Sequence, residues 1–100
     1  MEKHVRKLLT VITEASLERR LIEDLRELGA KGYTITDARG QGHRGKRAQD
    51  WELSGNIRLE VICDAALAER LVAQLRERYY DHYAMILYLL DVEVLRPQKF

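Results

Sequence analysis

Leu9-Thr10-Val11-Ile12-Thr13-Glu14-Ala15-Ser16-Leu17-Glu18-Arg19-Arg20-Leu21-Ile22-Glu23-Asp24-Leu25-Arg26-Glu27-Leu28 returns fifty residues later as Leu59-Glu60-Val61-Ile62-Cys63-Asp64-Ala65-Ala66-Leu67-Ala68-Glu69-Arg70-Leu71-Val72-Ala73-Gln74-Leu75-Arg76-Glu77-Arg78. Ten of these 20 aligned positions are identical: Leu9, Val11, Ile12, Ala15, Leu17, Arg20, Leu21, Leu25, Arg26 and Glu27 match their counterparts. Glu14 over Asp64 and Ile22 over Val72 are conservative. Two amphipathic helices match at some apolar positions by pattern alone. They need not also match, without a gap, through the segment that precedes them. The stretch therefore reads as one structural unit used twice.

Each copy opens on a run of β-formers and continues at helical spacing. Leu8–Ile12 is a strand with both faces covered. Thr13-Glu14-Ala15-Ser16 then offers cap chemistry, and Leu17, Leu21, Ile22, Leu25 and Leu28 form the apolar stripe of a helix. Glu18, Arg19, Arg20, Glu23, Asp24, Arg26 and Glu27 are assigned to the opposite, solvated face, and Gly29 sits where a C′ glycine belongs. After Gly32 the period changes to two, so Tyr33–Ala38 is a second strand. Residues 39–55 break the pattern and read as a long loop. Ile57, Leu59 and Val61 alternate with Arg58 and Glu60 in a third strand. Asp64 caps a second helix whose core side is Leu67, Ala68, Leu71, Val72, Leu75 and Tyr79. Met85–Leu90 is the last strand, with Val92–Leu95 as its extension or a short extra one, and Pro97 ends regular pairing.

Two βαβ halves in tandem give the α+β, ferredoxin-like βαββαβ plan: a four-stranded antiparallel sheet with two helices on one face. That plan leaves the other sheet face bare, although Leu8–Ile12 and Met85–Leu90 are apolar on both faces. Sheets packed against one another in a homo-oligomer would cover it.

Composition narrows the function classes. The chain has 100 residues, 46% hydrophobic and 33% charged, with a net charge of +1. This is a single globular domain without a global field for nucleic acid or anionic membrane. Cys63 is the only cysteine, which rules out an intrachain disulfide and a cysteine-based zinc site. Residues 1–20 lack the long apolar core of a signal peptide, and Ala84–Leu90 is too short to span a bilayer, so a cytoplasmic location is expected.

Chemistry concentrates in Gly40-Gln41-Gly42-His43-Arg44-Gly45-Lys46-Arg47. Glycines let backbone N–H groups approach an oxyanion, and Arg44 and Arg47 bring fork-shaped donors suited to phosphate. The stretch is not a Walker A loop, having no Gly-Lys-Ser/Thr, and not a Rossmann turn, having no helix after it. On the residues alone, an anion-binding loop and a flexible, solvated basic loop both stand.

Four segments in order carry a resemblance: Gly29-Ala30-Lys31-Gly32-Tyr33-Thr34, Gly40-x-Gly42-x-Arg44-x-x-Arg47, Asn56-Ile57-Arg58-Leu59-Glu60, and Tyr83-Ala84-x-Ile86-x-Tyr88-x-x-x-Val92-Glu93-Val94-Leu95. Together they resemble the PII-like signalling proteins, in the branch associated with carboxysomes and bicarbonate transporters. The resemblance implies a homotrimer that binds an adenine nucleotide (ADP or AMP, with ATP and cyclic AMP as further candidates) in clefts between subunits. It implies signalling through loop 40–55, no catalytic residues, no metal and no cofactor. Bicarbonate is an implied co-ligand, and a bicarbonate transporter or carboxysome-associated protein an implied partner. By position, Arg44 and Arg47 would contact phosphate, with backbone contacts from Gly40, Gly42 and His43, and Gln41 in the same stretch. Main chain around Val61 and Ile62 would meet the adenine edge, Tyr33 and Thr34 would line the pocket, and Met85 and Ile86 would lie at the nucleotide. Met85 is a departure, because some relatives have glycine there, close to the phosphate. The loop also lacks a tyrosine to modify, and no cysteine follows Cys63, so redox control through a cysteine-bearing tail is not expected.

The remaining polar residues fit this reading without adding a site. His4, His43 and His82 are scattered, and Glu14 and Glu60 have no nucleophile or histidine partner in the pattern. Trp51 is either a loop residue packed on its own subunit or a partner anchor. Two other classes stay open on sequence grounds. A small phosphatase on the same fold would want an anion loop between strand 1 and helix 1, where this chain has the acidic Thr13-Glu14-Ala15-Ser16. An RNA-binding sheet would want an exposed aromatic pair and basic strands.

Overall fold

The computed structural model describes residues 2–40 and 55–100. Strand β1 (His4–Glu14) leads through a 3-10 turn (Ala15–Leu17) into helix α1 (Glu18–Leu28). Strands β2 (Thr34–Ala38) and β3 (Asn56–Cys63), helix α2 (Ala65–Tyr79), strand β4 (Met85–Val94) and a closing 3-10 turn (Pro97–Lys99) follow. The strands form one antiparallel sheet in the order β2-β3-β1-β4. This is the ferredoxin-like plan expected from the repeat.

The repeat appears in space as an approximate two-fold axis. Thr10 and Glu60, fifty residues apart, sit directly opposite each other in the β1–β3 ladder, flanked by Leu9 opposite Val61 and Val11 opposite Leu59. Between the helices, Gln74 Nε2 donates to Asp24 Oδ1 at 2.7 Å, and these two residues are also repeat equivalents. The core lies between helices and sheet. Leu17, Leu21 and Leu25 of the first unit and Leu67, Leu71 and Leu75 of the second close over Leu9, Val11, Leu59 and Val61. Strand alternation sends the intervening residues to the other face.

Three expectations need correction. Strand β1 is longer than Leu8–Ile12 at both ends, because β4 pairs with it from His4–Val94 to Thr13–Met85 and satisfies its backbone along that length. No side chain of Thr13–Ser16 caps α1, since a 3-10 turn intervenes and Thr13 and Glu14 bond elsewhere. Asp24, placed on the solvated face by charge, is only 1% exposed. It faces α2, where Gln74, Arg78 and the Tyr79 hydroxyl all donate to its carboxylate. By contrast, Asp64 does cap α2, accepting from Leu67 N at 2.8 Å, and Gly29 ends α1 with a φ of 86°. Residues 85–94 form one continuous strand, so Val92–Val94 extends β4.

The face away from the helices carries Ile86, Tyr88 and Leu90 of β4 beside Ile12, Thr10 and Leu8 of β1. Ile86 and Leu90 are 49% and 55% exposed. Thr10, in the centre of this face, is wholly shielded between Glu60 and Tyr88.

Candidate functional site

Sheet register decides which candidate residues meet. Thr34 pairs with Glu60 at the start of β2, where the β2–β3 ladder ends. Strand β3 runs three residues further, so Val61, Ile62 and Cys63 are paired with β1 but not with β2. An antiparallel strand directs main-chain groups to alternate sides, so this stretch presents N–H and C=O toward an edge that no strand covers among the described residues. Tyr33 and Thr34 are exposed beside it. Val61 has its side chain fully buried among the core leucines and can meet a ligand only through its main chain. A planar heterocycle with a donor and an acceptor on one edge suits such a backbone edge, with Tyr33 and Thr34 alongside.

The other end of the sheet gathers different residues. Ala38 pairs with Asn56, Asn56 with Glu14, and Thr13 with Met85. Ala15 N donates to Gly55 O at 3.1 Å, which ties the start of β3 to the end of β1. Gly40 is exposed just beyond β2, and a Cβ built on it meets nothing within 4 Å. Gly40 and Gly55 therefore both lie at the end of the sheet where β4 begins. Gln41, Gly42, His43, Arg44 and Arg47, with Trp51, lie outside the described residues.

Met85 and Ile86 sit on β4, at the edge opposite β2. Three strand spacings separate the two edges, about 14 Å. From Thr34 to Ala38 is a further ~13 Å along the strand. Tyr33, Thr34, Val61 and Ile62 thus come together at one corner of the sheet, Gly40 stands at a second, and Met85 and Ile86 at a third. One subunit does not close a pocket from all of them.

The loop before β4 is held in place by contacts that sequence reasoning missed. Thr13 Oγ1 donates to Ala84 O at 2.6 Å, and Ala84 N donates to Glu14 Oε2 at 3.0 Å. The rings of Tyr79 and Tyr83 meet edge to face at 5.9 Å, and Arg20 Nη1 donates to the Tyr83 hydroxyl at 3.1 Å. The repeat did not mark these contacts: Glu14 is equivalent to Asp64, yet Asp64 caps a helix and Glu14 does not. On the open face, Arg58 pairs with Glu60 at 3.0 Å, and at the other end of β1 Lys7 pairs with Asp91 at 2.5 Å. Among the described residues, no group of three or more His, Cys, Asp or Glu side chains is placed to hold a metal ion. Burial, and then the neighbouring Asp64 charge, push the Cys63 thiol above its ordinary range.

The family model described as nitrogen regulatory protein P-II matches residues 6–99. The chain belongs to the P-II family. A PII-like signaling protein from Thermus thermophilus is 49% identical over 100% of this chain and 99% of its own, with a TM-score of 0.84. CPII from Thiomonas intermedia shares the P-II fold at 22% identity. Its structure bound to ADP, AMP and acetate covers 100% of this chain and 98% of its own, at a TM-score of 0.87. Its structure bound to ADP and bicarbonate covers 99% and 97%, at 0.84. Membership makes this chain a PII-like signalling protein and agrees with the ferredoxin-like sheet and its two helices. Among the described residues, no helix of this P-II member is long and apolar enough to cross a membrane.

Proposed function

We propose that the chain is a cytoplasmic homotrimeric regulator that binds an adenine nucleotide in clefts between subunits and signals through loop 40–55. The observation that carries this reading is the division of the candidate residues among separate corners of one sheet. A second copy, packed through the apolar face of Ile86, Tyr88 and Leu90, would bring the β4 corner of one chain toward the β2 corner of another. In this arrangement the free backbone edge at Val61–Ile62 takes the adenine edge, Tyr33 and Thr34 line the pocket, and Met85 and Ile86 stand toward the phosphates. Gly40, Gln41, Gly42 and His43 supply backbone contacts, and Arg44 and Arg47 neutralise phosphate. The ADP and AMP bound by CPII support the ligand class.

Bicarbonate in a CPII structure supports a role in inorganic-carbon metabolism, with bicarbonate as a co-ligand and a bicarbonate transporter or carboxysome-associated protein as partner. A regulator needs no catalytic residue, metal or resident cofactor, and none is assigned. The turn between β1 and α1, where a phosphatase of this fold would bind its anion, instead presents Glu14, whose carboxylate is engaged by Ala84.

Calorimetric titration with AMP, ADP, ATP and cyclic AMP, with and without bicarbonate, tests the proposal. ADP and AMP are expected to bind, and Arg44→Ala with Arg47→Ala to lose tenfold or more of the ADP affinity. Unchanged affinity in the double variant would overturn the assignment of the loop.

A further inference from the structure

Both main-chain groups of Ala84 are taken by the last two residues of β1, the carbonyl by Thr13 and the N–H by Glu14. The internal repeat supplies the comparison. Asp64, equivalent to Glu14, uses its carboxylate on the first turn of α2, whereas Glu14 caps nothing on α1 and reaches across to the residue before Met85. Glu14 is partly buried, and among the described residues it pairs with no Lys or Arg. Among the described residues, a carboxylate without a countercharge thus occupies the Ala84 N–H.

We propose that Glu14 sets the phosphate length of the nucleotide, favouring AMP and ADP over ATP. This rests on the reading that Met85 and Ile86 stand at the phosphate end of an adenine-nucleotide site. Glu14 withholds the Ala84 N–H from a terminal phosphate, and its charge opposes each added phosphate more than the last. The attraction or repulsion between unit charges a few ångströms apart in a partly desolvated site is large enough to change affinity severalfold.

Glu14→Gln separates charge from geometry. The amide oxygen still accepts from Ala84 N–H, and the Thr13 bond to Ala84 O is untouched. Calorimetry with AMP, ADP and ATP is run on the wild-type chain, Glu14→Gln, Glu14→Ser and Glu69→Gln, the last a charge control on the exposed side of α2. Thermal melting checks that each variant folds. In both Glu14 variants the Kd ratio of ATP to AMP should fall about tenfold, with AMP changing less than threefold, while Glu69→Gln keeps the wild-type ratio. A wild type that binds AMP, with the ratio unmoved in a folded Glu14 variant, overturns this assignment alone. A wild type that binds none of the three nucleotides overturns the nucleotide reading and this assignment with it.

Discussion

Asp24 accepts three hydrogen bonds in the seam between α1 and α2, from Gln74, Arg78 and Tyr79. Its position is seven residues after Leu17 and three after Leu21, on the buried stripe, so helical spacing marked it even though its charge argued for solvent. Replacing it with Ala leaves the buried Tyr79 hydroxyl without its acceptor and should cost about 2–3 kcal/mol in urea unfolding. Burial, reinforced by the bond to Asp24, pushes the Tyr79 phenol above its ordinary pKa of 10.0. Above that value the unfolded chain releases this proton while the native chain keeps it. The unfolded state then binds fewer protons, and stability falls as pH rises through the alkaline range. Urea midpoints from pH 8 to 11 should drop more steeply in the wild type than in Tyr79→Phe, and parallel slopes would refute the linkage. Cys63 is buried with a raised pKa. A thiol reagent at pH 8 should modify it rapidly only after unfolding.

At the scale of elements, the two copies of the repeat diverge at their helix starts. Asp64 gives α2 a side-chain cap, and Asp64→Ala should cost about 1 kcal/mol. Glu14→Ala removes no cap from α1, and its effect should fall on the loop before β4. Gly29 closes α1 at φ 86°, and an added Cβ there would meet nothing within 4 Å. The cost of Gly29→Ala is therefore backbone strain alone, about 1–2 kcal/mol by chemical denaturation. Strand and helix identities were legible because period and repeat agreed at Leu9, Val11, Leu21, Leu25 and their counterparts. The diversion of Glu14 was not legible, since its target, Ala84, is 70 residues away and carries no side-chain chemistry that marks it.

At the scale of the molecule, the sheet face away from the helices leaves Ile86, Tyr88 and Leu90 exposed among the described residues. Leu8 and Leu90 face each other across β1 and β4 there, with Ile62 on the other side of Leu8. Leu90→Asp should convert a trimer to monomers in analytical ultracentrifugation, because burying an unpaired charge among these residues outweighs what the face gains by closing. Two-sided apolar strands made this exposed apolar face legible in the sequence. How Arg44 and Arg47 would approach the proposed ligand was not legible there. A glycine-rich stretch specifies no backbone path, and those residues lie outside the described ones.

Native mass spectrometry of the wild-type chain titrated with ADP tests most directly whether the nucleotide site is built between subunits. The expected result is a trimer that takes up to three nucleotides, with no ADP on any monomer. A monomer that binds ADP, or a trimer that takes none, would contradict it.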